Sequence, residues 1–232
     1  NIKDPQVQRA LRPSLFIDKL NEVLEKGKSG EIKKEDLPDY VKELISDGVL
    51  DIAVFVGAQR RFALPIEKSE IRFLRFAQGN LVLRIRYVEN IKEAKKAFEE
   101  SDIIYVESHS RYGIGWALAE EGMSSPLNMQ TQPIKIPKEE LYGYTGKILK
   151  DLGKYVIVQT SDEDIKQIKP RKGYQIITMA SCNSGKYFLE TMKRLREGLP
   201  TTIIYSTTET GLVTFEILLK GLLTGKNVEN IV

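Results

Sequence analysis

Short apolar runs rich in β-branched residues recur along this chain with helix-like stretches between them, and that alternation leaves few folds open. The runs are residues 50–56 (LDIAVFV), 81–88 (LVLRIRYV), 102–106 (DIIYV), 174–180 (YQIITMA) and 201–206 (TTIIYS). Each has the length and composition of a strand and is too short for a buried helix. Continuous apolar runs mark strands buried on both faces. The basic alternation of 81–88 suits a strand nearer the sheet edge.

Between the strands the period changes. Asn90 opens a helix with Glu93 in capping-box position and Ile91, Ala94 and Phe98 on the inner face. Residues 186–197 form a second helix, with Phe188, Met192 and Leu195 facing in. A helix is predicted near residues 70–78, a buried helix over 211–223 and a short extra strand over 155–159. Strands alternating with helices imply a three-layer α-β-α sandwich around a mainly parallel sheet. That domain spans residues 49–232. Residues 1–48 read as a helical hairpin before it, with Ser14 capping one helix and Asp36-Leu37-Pro38 opening the next. The stretch 113–150 is irregular and longer than the ~12–15 residues of a plain connector, a length associated with function.

Composition narrows the functional classes. Hydrophobic residues make up 41% and charged residues 29%, as in globular proteins. A net charge of +3, from 35 basic and 32 acidic residues, gives no basic face for nucleic acid. The longest apolar stretch, 212–223, is interrupted by Glu216 and Lys220 and falls short of the ~20 residues that cross a bilayer. No secretory signal is visible and the chain opens at Asn1, so compartment and oligomeric state stay open. With one Cys and one His, neither an intrachain disulfide nor a zinc site of several Cys and His ligands can be built. EF-hand and P-loop patterns are missing too; a carboxylate-rich Mg or Ca site stays open, and the expectation is of no metal or cofactor.

Any imidazole chemistry therefore falls to His109 and any thiol chemistry to Cys182. His109 follows the strand DIIYVES, in Glu107-Ser108-His109-Ser110-Arg111-Tyr112-Gly113, and Cys182 follows YQIITMAS, in Ser181-Cys182-Asn183-Ser184-Gly185. Ligands of open parallel sheets bind beyond the carboxyl ends of the strands, where both residues fall if the two strands are neighbours. A thiol attacks as thiolate, and free Cys has a pKa of about 8.5. The positive end of the helix after Cys182 and a nearby imidazole both favour the charged form. Singly, a lone Cys reads as a small core hydrophobe and a lone His as a hydrogen-bonded surface residue. Together, each at a strand end before a small, polar or Gly-bearing turn, they read as a candidate pair.

The two phrases resemble the caspase-like cysteine peptidases, which include caspases, legumain, separase, clostripain and the gingipains. Ile104 to Gly113 looks like the histidine motif of bacterial members, and Ala180-Ser181-Cys182-Asn183-Ser184-Gly185 is similar to the nucleophile motif of legumain and separase. The resemblance implies that Cys182 is the nucleophile of a peptide-bond hydrolase and His109 its general acid/base. It also implies an oxyanion hole from the backbone N–H groups of Cys182 and Ser110. Ser110 stands where many members carry Gly, and Ala180 where several carry an acidic residue, so no preference for Arg or Lys is inherited. The implied partner is a protein or peptide substrate. Glu107, two residues before His109 on the same strand, is a candidate for orienting the imidazole. Arg60, Arg61, Arg111, Glu209 and Trp116 are weaker candidates for binding substrate. Other classes stay open: an acyltransferase or deamidase with the same pair, or a binding module that keeps the fold alone. A nucleotide-binding domain finds little support in Val56-Gly57-Ala58-Gln59-Arg60, which is no phosphate loop.

Overall fold

The computed structural model describes residues 39–44, 46–58, 69–76, 79–120, 126–129, 133–141, 147–159 and 163–207. Of the helical hairpin expected over residues 1–48, residues 39–44 form a helix, while residues 1–38, the helix expected at 211–223, and Arg60, Arg61 and Glu209 lie outside the described residues. The strands are β1 (Val49–Val56), β2 (Ser69–Phe76), β3 (Gly79–Val88), β4 (Ile103–Glu107), β5 (Gly115–Trp116), β6 (Leu127–Asn128), β7 (Ile134–Pro137), β8 (Ile148–Asp151), β9 (Tyr155–Val158), β10 (Gln175–Met179) and β11 (Thr201–Tyr205). The helices are α1 (Asp39–Leu44), α2 (Ile91–Glu100), α3 (Glu163–Gln167) and α4 (Ser184–Leu195). The chain is α/β, and its main sheet, mostly parallel, runs β11-β10-β4-β1-β3-β2. Among the described residues no helix is long and apolar enough to cross a membrane.

The chain divides into two compact units, one holding residues 1–52, 63–86 and 211–232, the other residues 53–62 and 87–210. In the first, β2 and β3 pair antiparallel from Ser69↔Arg86 to Phe76↔Gly79. This corrects the helix predicted near residues 70–78. SEIRFLRF places bulky apolar residues and arginines within a run of strand length, and Gly79-Asn80 supplies turn residues beside it. Hydrogen bonding to β3 then decides between helix and strand, which so short a run leaves ambiguous. At the start of β1 the Gly48 carbonyl accepts the Val82 N–H at 2.9 Å, and Asp51 pairs with Arg84.

The second unit holds the main core. β10 pairs in parallel with β4 on one side and β11 on the other, and all five of its residues are buried, so both its faces are covered. Ile104, Val106, Ile177 and Met179 share a cluster with Ala94, Ala97 and Phe98 of α2 and Phe188 and Met192 of α4. Full burial of each large apolar side chain contributes about 1.5–3 kcal/mol. α2 starts as its sequence indicates: the Asn90 side chain accepts the Glu93 N–H at 2.9 Å. The Glu93 carboxylate reaches the Glu89 N–H at 3.4 Å, one residue before the group a capping box would use. Replacing Asn90 by alanine is expected to cost about 1 kcal/mol, measurable as a lower urea midpoint with an unchanged slope.

The stretch from 113 to 150, expected to be irregular, contains ordered β structure. β5 pairs with β6, and β7, β9 and β8 form a three-stranded antiparallel sheet in that order. Ile136, Val156 and Val158 of this small sheet enclose Ile114 in a core of their own. The strand expected at 155–159 is β9.

Candidate active site

The end of β4 is shaped by Ser108. Its hydroxyl, buried with 5% of the residue exposed, donates to the Ala117 carbonyl at 2.7 Å. The chain leaves the sheet here, so that His109 is exposed while Ser110 is buried. Arg111, Tyr112 and Gly113 follow with φ of 46°, 53° and 93°, three successive residues in the left-handed region. For the two that carry a Cβ this costs roughly 1–2 kcal/mol each. Bonds from the Gly113 N–H to the Ser110 carbonyl (2.8 Å) and from the Ile114 N–H to the Arg111 carbonyl (3.1 Å) close the turn. Burial of Arg111 and Ile114 holds it.

The returning chain forms a strap over the neighbouring strand ends. Ala58 N–H donates to the Ala117 carbonyl and Ala119 N–H to the Val56 carbonyl, both at 2.9 Å, while Glu120 N–H donates to the Glu89 carbonyl at 2.8 Å. Beneath it Gly57 N–H donates to the Glu107 carbonyl at 2.9 Å. In a sheet ordered β10-β4-β1-β3, the ends of β4 and β1 flank the point where strand order reverses, the usual ligand crevice. Here the bonds of Gly57, Ala58 and Ala119 tie the backbone across those strand ends.

The end of β10 is organised by Ser184. Asn183 takes a left-handed conformation (φ 52°), and α4 begins at Ser184, two residues ahead of the predicted start at Lys186. The Ser184 hydroxyl donates to the Met179 carbonyl at 2.7 Å and accepts the Ser206 N–H at 2.9 Å. Gly185 N–H donates to the Ser206 carbonyl at 2.9 Å. Position 185 has to be small, because a Cβ there would lie 2.3 Å from the Tyr205 ring. Cys182, a free thiol and half-buried, sits just before the helix.

Val106 and Met179 are partners in the β4–β10 ladder, and the Ala180 N–H extends the pairing to the Val106 carbonyl at 2.9 Å. His109 and Cys182 each come three residues after that partner pair, in the turns that follow the ends of adjacent parallel strands. The structure thus brings the two strand ends together. The N–H groups of Ser110 and Cys182 have no acceptor among the described residues. Tyr187, on the first turn of α4, is a neighbour the sequence did not single out. Burial, and after it the charge of the nearby Cys182, raise its hydroxyl above the ordinary phenol range. Its only sequence signal is its place one helical turn beyond the Asn183 cap.

Other candidates are dispersed. Glu107, the last residue of β4, is half-buried. Arg111 is buried, 5% exposed, rather than a surface charge. Trp116, a weaker candidate for binding substrate, belongs to the core. It is wholly buried, edge-on to Phe55 at 6.1 Å and Phe188 at 5.2 Å, because the strap draws β5 into the core. No family model, curated protein or solved structure matches this chain.

Proposed function

We propose that the chain is a cysteine-type hydrolase of amide bonds, a peptidase with a three-layer caspase-like sandwich, acting through Cys182 and His109. One observation supports this reading: β4 and β10 pair in parallel up to Val106↔Met179, so His109 and Cys182 each follow the carboxyl end of one of two neighbouring strands. Cys182 Sγ attacks the scissile carbonyl carbon, forming a C–S bond as the carbonyl oxygen takes up charge. The N–H groups of Ser110 and Cys182 are candidates to receive that charge. As the C–N bond breaks, His109 delivers a proton to the departing amine, and water then releases the acid from the thioester. Transfer of the acyl group to an amine instead of water uses the same residues, and mass spectrometry of products from a peptide mixture separates the two outcomes.

The test is alkylation of Cys182 by iodoacetamide at pH 7 in the wild-type chain and in His109→Ala. The wild-type thiol is expected to react at least ~10-fold faster than free cysteine, and His109→Ala to lose most of that excess. A thiol no more reactive than free cysteine, with or without the imidazole, sinks the proposal.

A further inference from the structure

The small sheet β7-β9-β8 ends in a strand of unusual surface. Every residue from 147 to 155 is exposed. Within that span Ile148, Leu149, Leu152 and Tyr155 leave 48%, 44%, 42% and 43% of their surface in solvent. β8 pairs with β9 on one side and, among the described residues, with nothing on the other. Edge strands are ordinarily blunted by charge and carry few large apolar groups. Here a register irregularity between Ile148 and Lys150 accompanies two adjacent exposed apolar residues. Such a surface has a cost in water unless something covers it.

Charge indicates what covers it. The only acid from 147 to 155, Asp151, is bonded to Lys138 at 2.6 Å. That bond, with a second from the Gly153 N–H, holds its carboxyl below the usual carboxylate range. Lys147, Lys150 and Lys154 have no carboxylate partner among the described residues, and Lys135 Nζ lies 4.4 Å from the Tyr155 ring centroid. The edge is therefore apolar and positively charged. Two copies of β8 meeting edge to edge would oppose like charges, which disfavours self-pairing.

We infer that the free edge of β8 is a docking site for an extended peptide segment of alternating acidic and apolar residues. The segment adds as a further strand. Its backbone bonds to β8, its apolar side chains cover Ile148, Leu149 and Leu152, and its carboxylates meet the lysines. Ile114, four residues beyond Ser110, packs in the core of the same small sheet, so the edge belongs to the structure that supports the His109 turn. The inference does not depend on the thiol chemistry, because binding can be read in Cys182→Ala.

The experiment titrates fluorescein-labelled, end-blocked Val-Glu-Ile-Asp-Val-Glu-Ile with Cys182→Ala and measures anisotropy. Saturable binding is expected, weakened at least ~10-fold by Lys147→Glu/Lys150→Glu together and by N-methylation of alternate probe amides. The same probe with lysine in place of its acids is expected not to bind. Thermal melts of the charge variant should match the parent, since both positions are exposed. Binding that ignores the charge reversal or the N-methyl groups overturns the inference. So does a dimer in sedimentation that Ile148→Thr dissociates, which would assign the edge to a second copy.

Discussion

Changing Cys182 to alanine is expected to remove amide hydrolysis, lowering kcat/KM by at least ~10⁴-fold. Half-buried Cys182 contributes little packing, so the variant should melt within a few degrees of the parent. His109→Ala should fall nearly as far, and the double variant little further, because nucleophile and proton donor act as one unit. Progress curves with a peptide library, read by mass spectrometry, measure all three. Turnover that survives in Cys182→Ala would end the proposed mechanism, since no other thiol exists in the chain.

Trp116→Ala carries the largest expected effect on stability, a loss of about 3–5 kcal/mol in urea denaturation. The ring is wholly buried and touches Phe55 and Phe188 edge-on, and such aromatic contacts add roughly 0.5–1.5 kcal/mol each beyond burial. Its indole N–H has no acceptor among the described residues, so Trp116→Phe keeps the ring contacts and should cost clearly less. A residue lining a subsite would behave in the opposite way, shifting KM while leaving the denaturation midpoint in place. A midpoint unchanged in Trp116→Ala would contradict its place in the core.

The contrast between these two residues shows what local sequence can carry. β4 and β10 were legible because strands buried on both faces read as unbroken apolar runs, and polar or Gly-bearing turns follow them. The places of His109 and Cys182 at those strand ends followed directly. β2 was missed because eight residues of mixed Ile, Phe, Leu and Arg satisfy either period, and only pairing with β3 decides. The full burial of Trp116 is hard to read locally for a related reason. Its neighbourhood of Gly, Ser and Asn looks like surface loop, yet bonds from Ala58 and Ala119 draw that stretch against the sheet. The left-handed Arg111 and Tyr112 left no mark in the sequence, since only Gly advertises positive φ reliably.

The pairing of Val106 with Met179 joins residues 73 positions apart (179 − 106), and this sets when the site can exist. Closing a flexible loop of that length costs on the order of 4 kcal/mol of chain entropy before any contact repays it. Hairpins such as β2–β3 and β8–β9 form far sooner, on microsecond timescales. A half-folded or truncated chain therefore holds a solitary thiol and a solitary imidazole, neither with its partner. Under the proposed mechanism, reactivity would arrive only with completion of the sheet, once the ladder between β4 and β10 has closed.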